Sequence, residues 1–153
     1  MTDLHSFTIL LVEDDDGHAH LVERNLRRGG LVNRLERLAD GQSALDYLWR
    51  QGAHANRPVG TPLLVLLDIR LPKVDGVEVL RRMKADPQLK LVPVIMLTTT
   101  DDPREVQQCY ALGCSVYIVK PMDYDQFVAV VRQLGLFLAV VQVPVAEPAG
   151  GAP

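Results

Sequence analysis

Three acids, a hydroxyl and an ammonium stand just behind apolar runs that are far apart in the chain. Glu13 and Asp14 follow Phe7–Val12, Asp68 follows Leu63–Leu67, Thr98 follows Val92–Leu97 and Lys120 follows Ser115–Val119. Chance placement of polar residues would not set a different useful group behind each run. Three carboxylates drawn together repel one another and raise each other's pKa unless a cation neutralises them. A hard divalent ion with oxygen ligands meets that need, and Mg2+, held by one or two carboxylates plus waters, fits best. Asp14 and Asp68 are expected as direct ligands and Glu13 as a ligand through water, and the backbone carbonyl of Arg70 can add a third protein ligand. Such a set suits phosphoryl transfer to a carboxylate. Asp68 is the nucleophile that would attack phosphorus. The cation and Lys120 would neutralise the phosphoryl oxygens, and Thr98 would donate a hydrogen bond to one of them.

These groups can meet only if the apolar runs lie side by side. Short apolar runs alternate along the chain with amphipathic stretches, which is the pattern of a βα-repeating sheet. Ala19, Val22 and Leu26 recur at helical spacing after the first run, and Gly29-Gly30 stops that helix. Val32–Leu38, diluted by Arg34, Glu36 and Arg37, reads as a strand at a sheet edge. Asp40-Gly41 opens a second helix carrying Ala44, Leu45, Leu48 and Trp49 on one side. Residues 52–62 are a loop by composition. Asp75-Gly76 leads into a third helix with Val77, Leu80 and Met83, closed by Asp86-Pro87. Asp102-Pro103 with Glu105 has the form of an N-cap, a first-turn proline and a capping-box glutamate. Asp123 and Gln126 cap a last helix whose stripe reads Phe127, Val131, Leu134, Leu138 and Val141 until Pro144 ends it. Five strands and five helices in alternation imply a doubly wound α/β fold. Right-handed crossovers favour a five-stranded parallel sheet in the order 2-1-3-4-5, with ligands outside the carboxyl ends of the strands.

Bulk properties narrow the function further. The chain has 153 residues, 48% of them apolar, and a net charge of −3. That is one domain with a full core and no basic field to hold nucleic acid. No apolar run reaches about 18 residues, and the start lacks the n-region and h-region of a signal peptide. A cytoplasmic location is therefore expected. Cys109 and Cys114 lack the clustered histidines of a zinc site and read as small buried hydrophobes. Residues 1–143 are expected to form the domain, with an extended last helix, and 144–153 a disordered tail.

The motifs together resemble the receiver domain of response regulators, from Thr8 to about Leu134. LLVEDD matches the acidic pocket, LLDIRLPKVDG the phospho-acceptor strand and its loop, VIMLTTT the switch-threonine strand and YIVKP the lysine–proline end. The resemblance implies a flavodoxin-like receiver fold with Asp68 as acceptor, Thr98 and Tyr117 as a switch pair and a cis Lys120–Pro121 peptide. A narrower similarity, to single-domain regulators of phytochrome kinases, rests on LTTT, the long loop at 52–62 and the apolar last helix. It implies a sensor histidine kinase of bacteriophytochrome type as donor. Thr99 departs from the usual alanine or glycine and is expected to narrow access to Asp68. Arg70 and Thr100 occupy positions that tune loss of the phosphoryl group.

Several residues carry plainer readings. Glu13-Asp14-Asp15-Asp16 alone is a good acidic helix start; with Asp68 and Lys120 it becomes a site, leaving Asp15 and Asp16 as capping residues. Tyr117 can be a half-buried strand aromatic. His5, His18, His20 and His54 read as solvated surface side chains, with His18 and His20 near a docking kinase as the alternative. A haloacid-dehalogenase-like phosphatase would need an acid two residues after its nucleophile, where Arg70 stands. A flavodoxin would need a phosphate-cradling loop in place of EDDD. The stretch after Lys120 is too short for a DNA-binding domain. Output is therefore expected through a protein partner, or by passing phosphate to a histidine phosphotransfer protein, or as a phosphate sink. Leu136, Val140 and Val143 form a second apolar stripe where a surface helix needs one. A homodimer through the fourth and fifth helices is expected from it; folding of the apolar tail back on its own sheet is the alternative.

Overall fold

The three central strands of the computed structural model are short, mostly aliphatic runs, and each helix starts at an aspartate. The structure describes residues 7–146 and 148; His5 and tail residues 147 and 149–153 lie outside that range. The elements in chain order are β1 (Thr8–Val12), α1 (Asp16–Arg28), β2 (Leu35–Leu38), α2 (Gly41–Trp49), β3 (Leu63–Leu67), α3 (Gly76–Ala85), β4 (Val94–Thr98), α4 (Pro103–Leu112), β5 (Val116–Val119) and α5 (Tyr124–Leu138). All pairings are parallel, in the order β2-β1-β3-β4-β5. No described helix is long and apolar enough to cross a membrane.

Five aspartates set the helix starts. The side chains of Asp15, Asp40, Asp75, Asp102 and Asp123 each accept from a backbone N–H in the first turn of α1 to α5 respectively. Each such cap is worth about 1 kcal/mol. Because each helix begins just after a strand end, the caps also fix where the chain turns over the top of the sheet.

The sheet is covered on both faces, so β1, β3 and β4 are buried throughout, as parallel strands require. Ile9, Leu11, Leu64, Leu66, Ile95 and Leu97 point to the layer formed with α1 and α5. Leu10, Val12, Leu63, Val65, Leu67, Val94 and Met96 point to the opposite layer, with residues of α2, α3 and α4. Burying each such side chain contributes about 1.5–3 kcal/mol. Arg57 pins the loop at 52–62, donating from Nε to the Tyr47 carbonyl at 2.8 Å while its guanidinium lies 4.8 Å from the Tyr47 ring centre.

Helices α1 and α5 touch backbone to backbone. A Cβ on Gly135 would fall 2.8 Å from the Leu26 carbonyl oxygen, and one on Gly29 would fall 2.5 Å from that of Arg132. Gly135→Ala is therefore expected to lower stability by about 1–3 kcal/mol, the usual range for overpacking. Urea denaturation measures it, and an unchanged midpoint would show that the helices can part freely.

The structure departs from the sequence reading in several elements. β4 begins at Val94 rather than Val92, because Pro93 has no N–H for the ladder. β2 begins at Leu35, leaving Val32 exposed. α5 stops at Leu138, six residues before Pro144. Beyond it come Val140, Val141 and Val143, β-branched residues that resist a helix without packing to hold them. Val141 and Val143 instead pack against the α1/α5 layer, while Ala146 is buried in the opposite layer. Finally, no described peptide bond is cis, so Lys120–Pro121 is trans, the isomer favoured by about 0.5–1 kcal/mol before proline.

Candidate functional site

Strand register brings the predicted groups together. Val12 lies opposite Leu67, and the Asp68 N–H donates to the Val12 carbonyl at 3.1 Å, setting Glu13 beside Asp68. Thr98 lies opposite Val119, and the Lys120 N–H donates to the Thr98 carbonyl at 2.7 Å. The loop after Asp68 folds back at once, with the Gly76 N–H donating to the Ile69 carbonyl at 2.8 Å. A Cβ at Gly76 would fall 1.9 Å from the Asp68 carbonyl oxygen, so only glycine lets α3 start this close to the site.

Carboxylate oxygens of Glu13, Asp14 and Asp68 lie within 4.8 Å of one another, a grouping able to hold a metal ion. Asp14 is exposed, whereas Glu13 and Asp68 are buried. Lys120, also buried, stands behind them. Its Nζ donates to Glu13 Oε1 in a short contact and to Asp68 Oδ2 at 3.0 Å. The Ile69 N–H holds the other Asp68 oxygen, Oδ1, at 2.7 Å. Burial pushes the Glu13 carboxyl up to about 7, against the hydrogen bond and charge of Lys120, which pull it down.

Thr98 is fully buried, and its hydroxyl oxygen accepts from the Thr100 N–H at 3.4 Å. Tyr117 is half-buried against the α2/α3/α4 layer, and its hydroxyl donates to the Thr100 carbonyl at 2.7 Å. Burial drives its pKa up to about 12, so the phenol stays a donor. The Arg70 side chain reaches away from the acids and pairs with Glu105 at 2.9 Å. Glu105 is thereby engaged with Arg70 rather than with the start of its own helix, against the expected capping box. Asp15 caps α1 as expected, whereas Asp16 is not a cap but the first residue of α1 and accepts from Arg37 Nη1 at 2.8 Å. Cys109 and Cys114 are free and buried.

His18, expected as a solvated side chain, is half-exposed but also engaged at the site. Its Nδ1 lies 3.1 Å from Lys120 Nζ, and its ring meets Phe127 edge-on at 5.6 Å. The signal available in the sequence was its place in the first turn of α1, since helical side chains lean back toward the N-terminus and here that means toward the strand ends. His18, Thr99, Lys120, Pro121 and Phe127 help line a cavity of about 240 Å³ beside the site. Thr99 is exposed and shares this cavity with Lys120.

A β2-β1-β3-β4-β5 parallel sheet with acids, a threonine and a lysine at its strand ends defines the flavodoxin-like receiver fold. The chain belongs to the response regulator receiver domain family, matching it over residues 9–132. Among its relatives, response regulator Rcp1 of Synechocystis is 37% identical over 139 residues, covering 90% of this chain and 93% of that protein. A receiver domain from Rhodospirillum rubrum superposes with a TM-score of 0.84 at 48% identity, covering 92% of this chain and 99% of that one. The phosphorylated cyanobacterial phytochrome response regulator RcpA superposes with a TM-score of 0.83 at 33% identity, covering 91% and 99%. The Mn2+-bound form of Rcp1 matches with a TM-score of 0.84 at 36% identity, over 91% and 99%. The chain is thus a receiver related to phytochrome response regulators over most of its length.

Proposed function

We propose that this protein is a receiver of a two-component phosphorelay, phosphorylated on Asp68 by a sensor histidine kinase of phytochrome type with Mg2+ bound. The observation that carries the reading is the Lys120 ammonium 3.0 Å from Asp68, beside the clustered carboxylates of Glu13 and Asp14. Asp14 and Asp68 would hold Mg2+ directly, Glu13 through water and Arg70 through its backbone carbonyl. Bound there, the ion would neutralise the acids and the transferring oxygens.

In the transfer step an Asp68 oxygen forms a bond to phosphorus as the P–N bond of the donor phosphohistidine breaks, and the freed imidazole takes up a proton. Lys120 faces the transferring oxygens, and the Thr98 hydroxyl turns from Thr100 to donate to one of them. Thr98 and Tyr117, joined through Thr100, form the proposed switch pair. The manganese-bound form of Rcp1 and the phosphorylated form of RcpA support both the cation and the modification. A haloacid-dehalogenase-like reaction is disfavoured because Arg70, already paired with Glu105, stands where that chemistry needs an acid. Incubation with acetyl phosphate and Mg2+ is expected to give one acid-stable, base-labile phosphoryl adduct per chain. Absence of an adduct would reject the reading.

The position of Glu13 makes cation binding pH-dependent. Without a cation its carboxyl titrates near 7 in the folded protein against 4.5 when unperturbed. In that window the folded state holds the extra proton, so stability falls as pH rises through it. A bound cation favours the ionised carboxylate and offsets this loss. The gain in melting temperature from saturating Mg2+ is therefore expected to be larger at about pH 7.5 than at about pH 5.5. Equal gains at both would sink this account of Glu13.

The same reading includes a homodimer through α4, β5 and α5. Tyr110, Val116, Val119, Leu136, Phe137 and Val140 are large apolar residues left exposed on or just after these elements. Val143, expected in this stripe, packs against its own core instead, and Phe137 was overlooked. Apolar burial at about 25 cal/mol per Å² does not depend on the phosphoryl group, so the dimer is expected with and without it. Leu136→Glu with Val140→Glu should give a monomer by light scattering. A monomeric wild type at about 50 μM, where even a micromolar dimer would form, would rule the dimer out, as would a double variant that still dimerises.

A further inference from the structure

Lys120 has three ammonium hydrogens and three partners: Glu13 Oε1, Asp68 Oδ2 at 3.0 Å and His18 Nδ1 at 3.1 Å. Two of these are carboxylates of the acidic cluster, whose lone pairs a divalent cation would share. His18 is the one partner outside that cluster. Its backbone N–H is held by the Asp15 cap at 2.9 Å, and its ring packs T-shaped against Phe127 at 5.6 Å. For Nδ1 to accept from an ammonium the ring must be neutral with its proton on Nε2, a tautomer assigned here from the contact.

We infer that His18 is a positioning residue for phosphoryl transfer, holding the Lys120 ammonium toward Asp68 while Glu13 and Asp68 are engaged with the cation. The inference rests on the receiver reading above. It differs from a packing role against Phe127, which any apolar side chain of similar size would fill. The distinction lies in the acceptor atom. Leucine keeps bulk and loses the acceptor, whereas asparagine places Oδ1 close to where Nδ1 stood.

The test uses the full chain with acetyl phosphate and saturating Mg2+. His18→Leu is expected to slow phosphorylation about tenfold, the scale of one lost hydrogen bond to a charged group. His18→Asn should stay within about threefold of wild type on the same grounds. Magnesium affinity should be unaltered in both, because His18 is not among the cation's ligands. Nuclear magnetic resonance of the Lys120 ammonium in Mg2+ should show slow hydrogen exchange in wild type and His18→Asn and fast exchange in His18→Leu. A wild-type rate in His18→Leu overturns the inference, as does a His18→Asn variant no better than His18→Leu. So does a fall in magnesium affinity that tracks the rate. A wild-type protein that takes up no phosphoryl group overturns the receiver reading itself, and this inference with it.

Discussion

Asp68→Asn is expected to take up no phosphoryl group under conditions that fully modify the wild type, while keeping its fold. The amide has the shape of the carboxylate and can still accept the Ile69 N–H that holds Oδ1 at 2.7 Å. Its nitrogen, however, is no nucleophile, and it would point a donor at the Lys120 ammonium. Loss of one of three crowded acids relieves repulsion with Glu13 and Asp14, which offsets the weakened contact to Lys120. Stability should therefore change little although the chemistry is gone. Mass spectrometry of the peptide containing residue 68 decides the matter: a phosphoryl adduct there in the variant refutes the assignment of the acceptor.

Asp14→Ala should weaken magnesium binding on the order of a hundredfold, at the upper end of what losing even a supporting partner costs a metal site. Asp14 is the exposed member of the acidic group and makes no ion pair among the described residues, so its removal leaves the surrounding network standing. Glu13→Ala is different in kind. It would take away a buried partner of Lys120 as well as a water-mediated contact to the ion, so it should cost stability more than affinity. Calorimetric titration separates the two, since Trp49 lies within α2 and reports poorly on the site. Equal affinity in wild type and Asp14→Ala would remove Asp14 from the ligand set.

The strand-end groups were legible because each is the first polar residue after an apolar run, and parallel strands deliver such residues to one edge. The aspartate caps were legible for a similar local reason, being short polar residues immediately before each helical stripe. What escaped depended on contacts between distant segments. His18 looked like surface because its partner lies 102 positions away. Glu105 fitted a capping box, yet the Arg70 guanidinium, contributed by the loop after β3, offered a stronger partner. The end of α5 escaped because Val141 continues the helical stripe by spacing alone. Only the three-dimensional core decides whether such a residue packs as helix or as irregular chain, and Val141 and Val143 pack against the core outside any helix.

The hydroxyl of Tyr117 donates to the Thr100 carbonyl at 2.7 Å. An activating event moves an equilibrium only by the free energy with which it distinguishes two populations. If the bonded arrangement of Tyr117 dominates at rest, little population remains for phosphorylation to recruit. The same bias runs in reverse: a competent state that is abundant beforehand imposes almost no conformational tax on the incoming donor. A receiver built this way would load quickly and change its affinity for a partner only modestly. Its signal would then lie more in the occupancy of Asp68 than in a large rearrangement of shape.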